Sequence, residues 1–597
     1  MPDSPNKGSD GVVSVSITSN GTKLSPAIVV ISVLVENSVN RIPSARIVML
    51  DGDMPNQDFP LSNADDFKPG SEIQIDAGYM QEEKTIFKGV VVKHGIKISG
   101  ENDSRLVVDC QDKAVAMTIG RKNANYIDSK DSDIITKIIG KYSGLTSTVD
   151  ATDTSLKEVV QYYATDWDFA LSRAEINGLL MIVDNGSISV KAPEVTGAAI
   201  LTVTYGIDII EFNAEIDARN QLASVGATAW DPKTQAVMES SPAAPASLNK
   251  QGNLSAADLS AVIGLDSYQL QAATTHEKTE LDSWAKAQQT KAELSAIRGK
   301  MIFQGSAVAK PGTVVELAGV GDRFNGNVFI TAVRHELVDG NWITDAEFGL
   351  SPNWFAERRD LAAPPASGML PAVEGLQIGV VMQLDQDPNN EFRIQVSVPV
   401  LQAETEGVWA RFASFYASSG FGAFFIPEIG DEVVLGYFNN DPSYPVILGS
   451  LYSSSRAPAE TPTADNYIKS ILTSSQLKVE FDDENKVITV ITPGGNQIVI
   501  SDKDTSILIQ DQNGNKVELA SGGITLDSPK DIKITAKGKV TIDAVGEVGI
   551  MSKADVKLEG LNVTATAQVG FTAKGNATAE VSASGQTTIK GAIVMIN

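Results

Sequence analysis

The chain has 597 residues, 42% of them hydrophobic, which is enough for roughly three to five domains with real cores. A formal net charge of −26 sets it against nucleic acid, whose phosphates call for a basic surface. One cysteine, Cys110, and three histidines, His94, His276 and His335, argue against a disulfide framework and against cysteine- or histidine-based metal centres.

Residues 10 to about 120 alternate as strands (VVSVSI, IVVISVLVE, SEIQIDAGY, KTIFKGVVVKHGIKIS, SRLVVDC), and Cys110 falls there as a core thiol. The longest apolar run, Ala27 to Val35, is about half of what a membrane helix needs, and the polar start MPDSPNKGSDG lacks a signal-peptide core. A helix is predicted over 133–142, with Ile134, Ile135, Ile138, Ile139 and Tyr142 on one face and Gly144 as its C-cap. A second helix is predicted over 165–177. Thr165 is its N-cap, Trp167, Ala170, Leu171 and Ala174 form its core stripe, and Asn177-Gly178 stops it.

Residues 240–260, rich in Ala, Ser and Pro, read as an exposed connection. A third helix is predicted over 274–298, with Leu281, Trp284, Ala285, Leu294 and Ile297 as apolar positions. Strands follow at TVVELAGVG, GNVFITAVRHELVDG and NWITDAEFG, then a linker at 362–373, a compact β segment at 374–452 and a second linker at 453–475.

From Ile524, apolar pairs flanking one polar residue recur every eight positions: Ile524/Leu526, Ile532/Ile534, Val540/Ile542, Val548/Ile550 and Val556/Leu558. A second ladder, shifted in phase, runs through Leu561/Val563, Val569/Phe571, Ala577/Ala579, Gly585/Thr587 and Ile593/Met595. Alternation within each pair is the signature of a strand with one buried face, and the fixed repeat sets each strand one step along an axis. So short a strand cannot bury its own face. Stacked repeats of one chain can, and so can two more copies, and a prism of three intertwined chains is the expected form. Upstream, Val479/Phe481, Ile488/Val490, Ile498/Ile500, Ile507/Ile509 and Val517/Leu519 recur at nine or ten residues, which implies wider turns such as PGGN and DQNGN.

Catalytic constellations are missing. No HExxH, GxSxG or phosphate-binding loop occurs, and Gly319-Val-Gly321 reads as a hairpin turn. In so acidic a chain, pairs such as Asp166 with Asp168 read as solvated surface or caps. His335, in an alternating strand, reads as packed or idle.

Several stretches resemble one family. QYYATDWDFALSRAEINGLL (161–180) looks like the signature of VgrG and phage hub proteins, and FNGNVFITAVRHELVDGNWITDAEFG (324–349) resembles the second barrel of the same hub. GVWARFASFYASSGFGAFFIPEIGDEVVLGYFNNDPSYPVILGSLY (407–452) is similar to the OB-fold of the spike family. The order of hub helix, hub barrel, OB-fold and β-needle covers nearly the whole chain. The fold class implied is mainly β with a few α-helices: a hub of two barrel-like domains (1–361), an OB-fold collar (374–452) and an intertwined trimeric β-helix needle (476–597). In the OB segment, Phe421, Phe424 and Phe425 read as core or trimer contacts.

The resemblance implies a structural, non-enzymatic spike of a contractile injection machine, without cofactor or metal. Its expected partners are two further copies, an inner tube protein at the hub end, baseplate proteins and a PAAR-type tip protein. Effector cargo is a further candidate, and a target membrane is touched only in passing. The tip contact is expected at Ile593, Met595, Ile596 and Asn597. The chain is expected to be made in a bacterial cytoplasm and built into a particle released from the cell, a preference resting on the short, undecorated needle. A phage tail and a type VI secretion spike share the plan. A trimeric adhesin fibre and a spike with a hidden hydrolase are the rivals.

Overall fold

The computed structural model describes residues 3–7, 11–100, 103–246, 248, 251–401 and 407–596, in two compact units, Met1–Leu451 and Tyr452–Asn597. The first unit is built on a 13-stranded sheet. Its central strand, Gly326–Val338, pairs antiparallel with Asn341–Phe348 on one side and with Val30–Ser38 on the other. That second pairing sets Leu337 opposite Val33 and His335 opposite Val35, and so joins the start of the chain to its middle.

Two apolar cores lie along this sheet. One gathers Val33, Ile47, Phe67, Ile73, Phe87, Val108, Cys110 and Trp342, and the other Leu201, Val203, Met301, Phe303, Val315, Ile330 and Phe348. The two expected barrel-like domains therefore share one continuous sheet. A strand of 13 residues with partners on both sides carries the ladder across the boundary. The Gly319 to Gly321 turn joins Val314–Ala318 to Gly326–Val338, an antiparallel pair, and both glycines have positive φ, as a hairpin turn there requires.

Five α-helices are present among the described residues: α1 (Pro60–Asn63), α2 (Asp131–Ile139), α3 (Asp166–Ile176), α4 (Ala256–Ile263) and α5 (Lys278–Leu294). Three expectations need correction. The helix α2 starts two residues earlier than predicted and is capped by Gly140, while Gly144 takes φ +82° in the turn beyond. Asp131 and Asp133 in its first turn favour that start, because carboxylates stabilise the positive end of the helix dipole. The helix α5 ends at Leu294 with Ser295 as its cap, and Ile297 opens the strand Ile297–Gln304 instead. Within the stretch read as a connection, Ser255 and Asp258 form a reciprocal capping box that starts α4, and Gly264 closes it at φ +71°.

Five strands, Gln377–Gln383, Ile394–Ser397, Val408–Phe412, Glu432–Tyr437 and Pro445–Ser450, close into a small barrel. Val381, Ile394, Val396, Ala410, Val433, Leu435 and Ile447 fill it. Phe421, Phe424 and Phe425 are 62%, 84% and 60% exposed, so within this chain they are not core.

The second unit opens with a seven-stranded antiparallel meander running from Ile468–Leu472 to Gly523–Asp527. Its first strand lies inside the expected linker 453–475, because Ile471 pairs with Val479 and Lys469 with Phe481. Ile524 and Leu526, expected as the first rung of the eight-residue ladder, belong to the last strand of this sheet. From Pro529 to Ile596 every residue is exposed, and no described residue there belongs to a strand.

Candidate assembly interface

Strands of five residues joined by turns of four or five, and of two before the last strand, bring every upstream apolar pair onto one face of the meander. Cross-strand register runs Val479, Val490, Ile498, Ile509, Val517, Leu526 in one row, and Phe481, Ile488, Ile500, Ile507, Leu519, Ile524 in a second. The turns are chemically set. Asp511 accepts from the backbone N–H of Asn513 and Asn515, both at 2.9 Å, and Gly514 sits at φ +87°. Hydrogen bonds from Asn515 and Asn513 hold the Asp511 carboxyl below its usual range.

Such rows contribute about 0.2–1 kcal/mol per pair, and far more only when something covers them. Ile488, Val490, Ile498, Ile500, Ile507 and Ile509 remain 38–47% exposed, so the rows form a face on which this chain lays nothing.

Beyond the meander the ladder positions stay open. Ile532, Val540, Val548 and Val556 are 52–57% exposed, and their partners Ile534, Ile542, Ile550 and Leu558 are 70–75% exposed. The eight-residue repeat of the sequence is thus a repeat of local geometry. Val563, Val569 and Phe571 are equally open, as are Ile593, Met595 and Ile596 at the far end; Asn597 lies outside the described residues.

The first unit carries a helical cluster of its own. Thr165 caps α3, its hydroxyl accepting from the Asp168 N–H at 3.0 Å. Trp167, Ala170, Leu171 and Ala174 are buried against Ile134, Ile135, Ile138 and Ile139 of α2 and against Met181, Val183, Ile188 and Val190. Asp166, read from the sequence as solvated or a cap, is fully buried. It accepts from Lys122 Nζ and Tyr142 Oη at 2.8 Å and from Gln161 Nε2 at 2.9 Å. Burial pushes its carboxyl up, but the bonds from Lys122, Gln161 and Tyr142 outweigh that and hold it below the usual range. Across the helix pair, Asp131 accepts two bonds from Arg173, at 2.6 and 2.9 Å, and one from Asn177 at 2.8 Å.

Arg121 donates to the carbonyls of Tyr163, Asp360, Leu361 and Ala362, all within 3.2 Å, and so pins the chain as it leaves the hub. Sequence reasoning missed Asp166 and Arg121. An arginine whose hydrogen bonds go to carbonyls leaves no pattern, and the Thr-Asp-Trp-Asp string does not say which aspartate turns inward.

Cys110 and His335 are packed in the interior. Burial pushes the Cys110 thiol up to about 12 and the His335 imidazole down to about 4. Among the described residues no group of three or more His, Cys, Asp and Glu side chains is placed to hold a metal ion. Among the described residues no helix is long and apolar enough to cross a membrane.

Three family models match. Residues 9–339 match the Alg8 N-terminal domain, residues 377–452 the type VI secretion system/phage-baseplate injector OB domain, and residues 487–597 the phage baseplate V C-terminal trimerisation domain. The OB match coincides with the closed barrel. Among curated proteins, the chain is 31% identical over 110 residues to the type VI secretion system spike protein VgrG3 of Vibrio cholerae, covering 17% of this chain and 11% of that protein. It is 36% identical over 58 residues to the actin cross-linking toxin VgrG1 of Vibrio cholerae, covering 10% of this chain and 5% of that protein. The chain thus spans a small part of the curated relatives it matches. Among solved structures, the E. coli c3393 protein, a component of the type VI secretion system, is similar at 13% identity and TM-score 0.39, over 73% of this chain and 99% of that one. With a match over more than half of its length, the chain belongs to the Alg8 N-terminal-domain family, and its later segments match the injector OB domain and the phage baseplate V C-terminal trimerisation domain in turn.

Proposed function

We propose that three copies of this chain form the central spike and hub of a contractile injection machine. The hub half sits under the inner tube within a baseplate, the five-stranded barrel forms a collar, and residues 476–597 form the needle that pierces a target envelope when the sheath contracts. One observation carries this reading. From Ile488 onward the double apolar row, and the whole eight-residue ladder, lie within the trimerisation-domain match and have no cover in their own chain. Only neighbouring strands with the same repeat can meet them in register.

The role is mechanical and involves no catalysis. The exposed apolar side chains of Ile593, Met595 and Ile596 take a separate PAAR-type tip protein, since exposed apolar patches are normally covered. Inner tube protein meets the hub, and effector cargo is a further passenger. The host particle is of the extracellular kind, assembled in the cytoplasm and released.

The test is to purify contractile particles from cells making an epitope-tagged chain and image them with a tag-directed label. Label at the base of the tube, and loss of envelope puncture when the chain is removed, are expected. Particles that assemble and puncture normally without the chain overturn the reading.

A further inference from the structure

Residues 413–431 connect the barrel strands Val408–Phe412 and Glu432–Tyr437. Six large apolar side chains project from this connection: Phe415 is 88% exposed, Tyr416 55%, Phe421 62%, Phe424 84%, Phe425 60% and Ile429 62%. At roughly 150–250 Å² per aromatic ring, this is on the order of 500–900 Å² of open surface. The largest apolar patch on a monomer is usually about 300–600 Å² and often functional.

The connection is a built element. Ala417 bridges Gly422, the Ala423 N–H donates to the Tyr416 carbonyl at 2.8 Å, and the Ser418 N–H donates to the Phe421 carbonyl at 3.0 Å. Ser414 Oγ closes the base, lying 3.2 Å from the Tyr416 carbonyl and 3.0 Å from that of Ala423. Gly422 sits at φ +147°, and a Cβ there would meet the Tyr416 oxygen at 2.7 Å, so the hairpin needs glycine at this point. The Tyr416 and Phe421 rings lie 6.0 Å apart on its surface. A hairpin fixed by its own backbone loses little entropy when its aromatics are covered.

Charge narrows the choice of cover. The only charged residues in 413–431 are Glu428 and Asp431. A surface without a cation offers nothing to lipid phosphates or nucleic acid, and an apolar protein face fits it. The trimerisation-domain match begins at residue 487, a short way along the same chain, which brings other copies of the barrel close at high effective concentration. We infer that this aromatic hairpin is the collar contact: in each copy it packs on the barrel of the next copy, closing a three-fold ring. The inference rests on the three-copy reading above and adds a second interface, remote from the needle.

The test uses the full-length chain with Ser418→Cys at the hairpin tip. Cys110, fully buried, stays silent to a maleimide–benzophenone reagent, which couples to the introduced thiol and on illumination bonds to whatever the hairpin packs on. Three-copy mass by light scattering together with cross-linked chains on a denaturing gel is the expected result. Adding Phe424→Ser should cut the cross-linked fraction by about tenfold at unchanged mass, the mark of a lost aromatic anchor. A three-copy mass with no cross-link overturns the collar contact and leaves the needle trimer standing, the hairpin then serving a different protein. A cross-link insensitive to Phe424→Ser also overturns it, since proximity alone would then explain the product. A single-chain mass brings down both readings.

Discussion

Asp166 is the position where the hub's stability depends on one atom group, and Asp166→Ala should cost about 3 kcal/mol. The carboxylate is fully buried and bound by Lys122, Tyr142 and Gln161, with Lys141 at 3.9 Å. Breaking a buried ion pair costs about 3–5 kcal/mol, mostly the penalty of the charge left behind. Lys122 and Lys141 are each 41% exposed and regain water, which takes the cost to the lower end. Gln161 has no exposure but keeps its bond to the Ala164 carbonyl at 3.2 Å, so only part of its donor capacity is orphaned. Asp166→Asn keeps an acceptor and should cost about 1–2 kcal/mol. Asp168, half-buried in the first turn of α3, acts through the helix dipole, so Asp168→Ala should stay below about 1 kcal/mol. The assay is urea unfolding of the full chain, followed by tryptophan fluorescence for the hub transition. Because the folded carboxyl lies below its unfolded value of 3.8, its stabilisation is present above that pH and is lost as pH falls through the lowered folded value. An Asp166→Ala chain whose hub midpoint matches wild type, or matches Asp168→Ala, refutes the reasoning.

His335 should make the hub acid-sensitive. Its folded value of about 4 lies below the ordinary 6.5, so the unfolded chain takes up the proton first. Stability is full above pH 6.5 and falls toward pH 4 by up to about 3 kcal/mol, and His335→Gln should flatten that part of the pH profile of the hub midpoint. In the needle, Ile542→Asp would set three carboxylates near one axis and should abolish the trimer, at several kcal/mol per buried charge, whereas Thr541→Asp points outward and should be nearly silent. Sedimentation of the two variants decides, and equal behaviour would show the register to be wrong. Deleting residues 585–597 should abolish co-purification of a tip protein while leaving the trimer mass intact; a truncated spike that still captures the tip rules out the proposed contact.

The parts legible in the sequence are those whose signal is local and periodic. Two-residue alternation marked the strands of the hub and the barrel. Thr165 and Asn177-Gly178 marked both ends of α3, and the eight-residue spacing marked Ile532 to Leu558 as one repeating element. The pairing of 326–338 with 30–38 joins residues about three hundred apart, and no local pattern carries it. Strands 478–527 fold back on one another within the chain, at spacings of nine or ten residues and, between Val517/Leu519 and Ile524/Leu526, of seven, so the spacing of apolar pairs alone does not separate the meander from the eight-residue ladder. Ser255 and Asp258 were a readable helix start, masked by the Ala, Ser and Pro around them. The burial of Asp166 is a tertiary property, since nothing in the Asp-Trp-Asp string distinguishes it from Asp168. The exposed Phe421, Phe424 and Phe425 show the converse: hydrophobicity indicates that a side chain is to be covered, not which chain covers it.

The most direct test of the account is the mass of the full-length protein in solution, since every mechanical role proposed requires three chains to share one needle. Light scattering at micromolar concentration should give three copies of the 63.3 kDa chain, about 190 kDa, with no dependence on dilution over a hundredfold range. A species of 63.3 kDa, with the ladder from Ile532 to Phe571 protected from hydrogen exchange in the single chain, would contradict it and make the needle a one-chain solenoid.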